Sequence, residues 1–555
     1  MTTDYQLFAD RRKAFGDAII ESTDSKKLIV AGPGTGKSYL FQEICKKNIE
    51  IGKNNNLTLT FINELVDDLS KDLHNLSEVQ TLHSLALGKL PGSTGSNKMF
   101  IKLQDVICED YRIIKGTKKN FNEILCNLIE DQEALEFYSK RRKYYNYFSS
   151  NCSVFTLLKW FEADMSRIPV YSQILIDEYQ DFNKLESKLI EYLATKSPIV
   201  IVGDDDQSLY DFKYANPQDI RDKNNLDEYT SFYLPYCSRC TDVILHAYDN
   251  IVSKAKEEGY MLDRVDKEYL YFPSKEKDIV SNKNSKIIVK RKVYQTTLAY
   301  NIDDQIKAFS DLRSKELPTI LIICPLKKQI EPLEKALRSK GYKNIDAAEK
   351  KKDNILIDGL NLLLNDSKSN LGWRILFQEI CDREGWEERI KEVLEINITT
   401  DDEFSKLLTI AERKIVKTIL SSLRKIINNE EIDQVELDLV CKYLNHNPNE
   451  ITKTIIREEM DEEKRKKNLY KNTPIKITSI LGSKGLTRDY SFLVNFDDKY
   501  LLDKNSDGQL AASDSSICRF LVALTRAKAK IYLFTSENDL PTYMKWIDEK
   551  HIDEI

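Results

Sequence analysis

Two short clusters hold the residues fittest for chemistry. The first is GPGTGKS, positions 32–38, directly after Ala31. Gly32, Gly34 and Gly36, with Pro33 and Thr35 between them, let the backbone curl so that its N–H groups face phosphate oxygens. Lys37 then supplies a point charge and Ser38 a hydroxyl for Mg²⁺. Ala31 stands where the simple form of this Walker A pattern has its first glycine. The second cluster is DEYQD, positions 177–181, preceded by the apolar run Ile174, Leu175 and Ile176. Such a run delivers its carboxylates to the tip of a buried strand, Asp177 to hold Mg²⁺ and Glu178 to orient or deprotonate an attacking water.

Each cluster needs a strand to present it, and the apolar runs supply them. LIVAG (28–32), LTLTF (57–61), ILIDE (174–178) and IVIVGD (199–204) suit a buried parallel sheet. A second set, TILIICP (319–325), KITSI (476–480), FLVNF (492–496) and KIYLFTS (530–536), repeats the pattern near the end of the chain. Between them lie long stretches with three- and four-residue apolar spacing. The chain therefore divides into a first sheet domain at 1–85 and 169–261, interrupted by a helical insert at 86–168, and a second at 285–355 and 471–555, interrupted by a helical insert at 356–470. The charge-rich stretch 262–284 has few apolar residues and no clear period, so it is expected to link the halves.

At 555 residues the chain exceeds what one core supports, in keeping with several units. Its composition, 41% hydrophobic and 31% charged, fits a globular protein with no apolar run of membrane-spanning length. The segment MTTDYQLFADRRKAF lacks the hydrophobic stretch of a secretory signal, so the cytoplasm is the expected compartment. A net charge of −6 argues against a uniformly basic nucleic-acid binder and leaves a local groove as the means of phosphate contact. Ten cysteines are scattered, and the one close pair, Cys237 and Cys240, lacks the second pair a structural zinc site requires.

The motif order GPGTGKS, TLHS, IDEYQD, VGDDDQSLYDF, CSRC, SKGL, LTRA resembles the UvrD/Rep branch of superfamily 1 helicases. That resemblance implies an α/β fold of two RecA-like P-loop domains, each with a mainly helical insertion. It implies ATP with Mg²⁺ as cofactor, single-stranded DNA or its junction with duplex as partner, and 3′ to 5′ movement. Carried across by position, Gln207 would sense the γ-phosphate, Arg239 and Arg526 would reach it from the other side, and Gly485 would line the nucleotide. Phe61, Asn63, His83, Tyr210, Phe212, Lys213 and Ser479 would meet DNA, and aromatic faces there suit a motor that must pass every base. KRRKYYNYF (140–148) interleaves bases with aromatics, which fits either a duplex contact or a solvated helix.

Departures from the family pattern gather on the nucleoside. Gln6 lies too far upstream to read adenine, Ser238 replaces a stacking tyrosine, Thr487 stands in place of an acid, and Leu481 in place of a histidine. Relaxed nucleotide selectivity is therefore expected. The inserts are short for the family, which favours translocation over strong unwinding. Two roles fit: a translocase or helicase in DNA repair or anti-phage defence, or a DNA-sensing ATPase that regulates a partner nuclease.

Overall fold

The computed structural model describes residues 2–61, 63–91, 98–210, 213–310, 318–342, 344–347, 355–380, 386–395, 403–428, 430–444 and 475–555. Its chain forms two compact units, one of 1–85, 160–350 and 472–555, the other of 86–159 and 351–471.

The first unit contains both sheets. β1 (Lys26–Ala31), β2 (Asn56–Thr60), β3 (Glu78–Thr81), β4 (Gln173–Ile176), β5 (Ile199–Gly203) and β6 (Thr230–Leu234) make a parallel sheet in the order β3-β2-β4-β5-β1-β6. Its central strands are buried along nearly their whole length, and mostly apolar, because both faces are covered. Register aligns the strand ends: Val30 pairs with Gly203, and Ile176 with both Leu59 and Ile201. The segments after β1, β4 and β5, opening with Gly32, Asp177 and Asp204, therefore leave the sheet along one edge, where open α/β sheets bind ligands.

The second sheet is also parallel, with strands in the order 345–347, 475–479, 320–324, 488–494, 527–534, 287–290 and 552–554. The helix Asp242–Glu257, which follows the first sheet, lends Ile244, Tyr248 and Ile251 to a core shared with Leu321 and Leu493 of the second sheet and Leu521 of the helix Asp514–Leu524. The mixed α/β fold with parallel sheets agrees with the reading of the sequence. Strands absent from that reading lie at or near sheet edges, such as Glu78–Thr81 and Ile552–Glu554, where partial exposure removes the need for an apolar run.

The stretch 262–284, expected as a linker, is built into the fold. Arg264, Lys267 and Tyr269 are buried, Leu270–Tyr271 pairs with Tyr236–Cys237, and Lys275–Lys283 is a helix. Arg264 and Lys267 escape an apolar count because they are charged, with buried acids as partners.

The second unit is helical. Leu103–Lys115, Phe121–Cys126 and Gln132–Tyr145 come from the first insert; Ile355–Asn365, Asn370–Ile380, Trp386–Glu395, Ile410–Ile427 and Gln434–Leu444 from the second. The inserts are joined at their core, where Arg374 donates to Asp110 at 2.8 Å and Tyr145 donates to the same carboxylate. KRRKYYNYF belongs largely to this interior: Arg141, Tyr144, Tyr145, Tyr147 and Phe148 are buried, and Arg142 lies 4.0 Å from the Phe148 ring centroid. Its aromatics pack the unit and offer no open face to a duplex. Among the described residues no helix is long and apolar enough to cross a membrane.

Candidate nucleotide and nucleic-acid site

The loop after β1 is shaped by its glycines. Gly34 and Gly36 have φ of 74° and 99°, a region that favours glycine. Gly34 also has no room for a side chain, since a Cβ there would lie 2.3 Å from Cβ of Arg239. Buried Ala31 ends the strand, and Thr35 Oγ1 donates to Gly32 O at 2.9 Å. The hydroxyl of Tyr269 donates to Pro33 O, and Ser238 donates its N and Oγ to Gly34 O at 2.9 and 3.1 Å. The helix Lys37–Glu50 starts at once, so Lys37 and Ser38 occupy a helix N-terminus that favours anions.

Across the edge, Asp177 is 7% exposed, and its Oδ1 is buried without a hydrogen-bond partner among the described residues. Burial and the adjacent Glu178 charge push its pKa well above the usual carboxylate range. An orphaned buried carboxylate oxygen is a fit ligand for a divalent cation, and Ser38 is the hydroxyl that the loop would bring to the same ion. Glu178 has φ 54°, a costly conformation outside glycine and one that gathers at functional sites. Its carboxylate accepts from Lys37 Nζ at 3.1 Å and Gln180 Nε2 at 2.6 Å, with Lys484 Nζ at 4.0 Å. Burial opposes ionisation of Glu178, but Lys37 and Lys484 outweigh it and hold the acid below its ordinary range.

Lys484, from the SKGL segment, joins the sheets: its ammonium lies 2.6 Å from Asp181 and donates to Gln207 O at 2.7 Å. Gly485 follows at φ 79°. The Gln207 amide is fixed at both ends, Nε2 donating to Asp204 Oδ2 at 2.6 Å and Oε1 accepting from Arg526 at 3.2 Å. Arg526 is 2% exposed and donates Nε to Val522 O at 2.8 Å. Burial and the neighbouring positive charge of Arg239 push its pKa down to about 10. Two guanidinium groups close enough to disfavour each other, beside a phosphate-shaped loop, form a site suited to a polyanion.

Beside Gln207 lies an aromatic group. The Phe61 and Tyr210 rings are 4.9 Å apart, Phe182 meets Phe61 edge-on at 5.6 Å, and Lys213 Nζ sits 5.1 Å from the centroids of both Phe61 and Tyr210. Val522 and Leu481 pack against the same group, so it touches the helix Asp514–Leu524, which ends two residues before Arg526. His83 Nε2 is 3.3 Å from Glu186, whose buried acid also feels the charge of Lys213. Ser479 is buried, its Oγ accepting from Gly482 N at 3.2 Å. Asn63 opens the helix Asn63–Asp72, though its side chain, like Phe212, lies outside the described residues.

The nucleoside side is different in kind. Ser238 is committed to Gly34, Gln6 donates to Asp10 at 2.8 Å on an exposed helix face, Thr487 O accepts from Arg488, and Leu481 belongs to the aromatic group. Cys237 and Cys240 are free, buried thiols, the second 3.7 Å from Thr525 O. Sequence reasoning missed Gln180, Lys267, Tyr269 and Lys484 as parts of the site. For Gln180 and Lys484 the signal was their place inside DEYQD and SKGL; for the other two there was none.

Asp204, Asp205 and Asp206 can bring three carboxylate oxygens within 4.8 Å of one another, as a metal site would. Protein cations fill that place. Lys267 lies 2.6, 2.5 and 3.2 Å from the three, Arg264 pairs with Asp206, and Arg221 donates to Asp205 at 3.1 Å.

The chain is similar to several known proteins. Residues 16–213 match a family described as an AAA domain. PcrA, an ATP-dependent DNA helicase of Staphylococcus aureus, is 24% identical over 291 residues, 43% of this chain and 39% of its own. YjcD of Bacillus subtilis, a putative ATP-dependent DNA helicase, is 38% identical over 88 residues, 16% of this chain and 12% of its own. The ATP-dependent DNA helicase Rep of Buchnera aphidicola is 54% identical over 50 residues, 9% of this chain and 8% of its own. The matched part thus spans 39% or less of the length of these relatives. With the motif order, the matches support a UvrD/Rep-like superfamily 1 helicase as the type this chain resembles.

Proposed function

We infer that this chain, a relative of the UvrD/Rep-like superfamily 1 helicases, hydrolyses ATP to move 3′ to 5′ along single-stranded DNA. The observation that carries the reading is the fixed amide of Gln207, held between Asp204 of the first sheet's edge and Arg526 after the helix Asp514–Leu524, next to the aromatic group. A phosphate contact and a base contact would thus share neighbours.

The backbone of 31–36 would cradle the phosphates, and Gly485 would line the nucleotide. Lys37, now paired with Glu178, would exchange that partner for phosphate and leave Glu178 to orient or deprotonate water. Ser38 and Asp177 would hold Mg²⁺, which when bound neutralises phosphate oxygens. Gln207, Arg239 and Arg526 would meet the γ-phosphate, where an arginine contributes about 10³–10⁵ in rate by stabilising charge on the transferred group. Phe61, Tyr210 and Phe212 would stack on bases, with Lys213, His83, Asn63 and Ser479 along the backbone path. A change at Arg526 would reach that path through Val522, giving the cycle a route from hydrolysis to grip.

The compartment in keeping with such a role is the cytoplasm, and the setting DNA repair or defence against foreign DNA. The deciding experiment is steady-state ATP hydrolysis with and without single-stranded DNA, for the parent and Glu178→Gln, followed by unwinding of a 3′-tailed duplex. DNA-stimulated hydrolysis that falls about 10²–10⁴-fold in Glu178→Gln is expected. Hydrolysis indifferent to DNA would sink the motor. DNA-stimulated hydrolysis that leaves the duplex intact would instead favour a DNA-sensing ATPase that switches a partner nuclease.

A further inference from the structure

The segment joining the two sheets reaches into the phosphate site at two points. At the first, Lys267 Nζ lies 2.6 Å from Asp204 Oδ1, while the other oxygen of that carboxylate accepts from Gln207 Nε2 at 2.6 Å. This sets the orientation of the amide: with Nε2 turned to Asp204, Oε1 faces Arg526. At the second, the Tyr269 ring stands where a Cβ on Gly32 would come within 2.8 Å, and its hydroxyl donates to Pro33 O. The two points are joined through Tyr248, whose hydroxyl donates to Asp206 at 2.5 Å and whose ring is 4.9 Å from that of Tyr269.

We propose that Lys267 is a positioning residue for ATP hydrolysis, holding the Asp204 carboxylate so that the Gln207 amide presents its oxygen to Arg526 and keeps its place beside the γ-phosphate. The proposal rests on the reading of Gln207 as the phosphate sensor. Charge makes Lys267 specific to this task. Asp204, Asp205 and Asp206 are buried together, and Lys267, Arg264 and Arg221 offset them. Arg264 and Arg221 contact Asp206 and Asp205, so Lys267 is the cation of this group that touches Asp204. Burial disfavours its ammonium, and the three carboxylates more than reverse that, so it stays charged throughout the physiological range. Removing it leaves Asp204 a buried anion without its ion-pair partner, and frees the carboxylate that now fixes the Gln207 amide.

The test is a comparison of Lys267→Met and Lys267→Arg with the parent, measuring kcat and KM for ATP with single-stranded DNA present, and binding of a fluorescent non-hydrolysable ATP analogue. Lys267→Met is expected to lower kcat about tenfold or more, with KM and analogue binding changed less than about threefold, and Lys267→Arg to recover most of the rate. A purely structural role would instead lower the bound fraction and leave kcat per bound site unchanged. Should Lys267→Met fail to fold, Lys267→Met/Asp205→Asn restores the balance of charge while leaving Asp204 without its lysine, and the same loss of kcat is expected. Parent-like kcat in a folded variant, or failure of both variants to fold, overturns the positioning role. A parent inert towards ATP overturns the underlying reading instead, and the two failures are told apart by the parent alone.

Discussion

The phosphate side and the nucleoside side of the site use their polar groups in opposite ways. On the phosphate side Lys37, Glu178, Lys484, Gln207 and Arg526 form a chain of bonds that crosses from one sheet to the other. On the nucleoside side Ser238 is committed to the loop backbone and Gln6 to its own helix. If the proposed function holds, such a site would register whether a terminal phosphate is present more than which base carries it.

The most forceful way to break that contrast is at Arg526. Arg526→Ala is expected to lower kcat for DNA-stimulated hydrolysis by about 10³-fold or more, with much smaller change in nucleotide binding. A loss confined to KM would make the arginine a binding group only. Next in size is the aromatic group. Phe61→Ala should weaken single-stranded DNA binding by about 1–3 kcal/mol, read as a shift in the Kd for a labelled oligonucleotide. Unchanged affinity would move the base contacts elsewhere. The nucleoside side is tested directly by substrate: GTP and dATP should support hydrolysis within about tenfold of ATP, a gap of about 1.4 kcal/mol. A strong preference for ATP would mean that other residues read the base.

The smallest effect concerns stability. Glu186 caps its helix through Asn183, and burial pushes its pKa up to about 7 from an ordinary 4.5. A carboxyl raised on folding contributes stability below its unfolded pKa, and that contribution is lost as pH rises through the folded value. Glu186→Gln keeps the cap and removes the charge, so its Tm relative to the parent should rise between pH 5 and pH 8. An equal difference at both values would show that Glu186 does not titrate in this window.

What was legible in the sequence is what is local in the chain. Gly34, Gly36 and Lys37 act within one turn, and Asp177 and Glu178 follow the strand that lifts them, so spacing alone describes their context. The two sheets showed because central parallel strands are apolar on both faces; edge strands carry half that signal. Lys267 and Tyr269 were invisible for a physical reason. Their partners lie 63 and 236 residues away, at Asp204 and Pro33, and a lysine buried among acids has the same one-letter context as a solvated one. The aromatics of 140–148 misled in the opposite sense, resembling a surface stripe while filling the interior of the helical unit.

The pairing of Asp110 with Arg374 has a consequence for synthesis. The two residues are 264 positions apart, so at about 5–20 residues per second the first insert waits roughly 13–53 s on the ribosome before its partner is made. During that interval a buried acid and the tyrosine bonded to it have no arginine to meet. The helical unit thus cannot close until the second insert has been made.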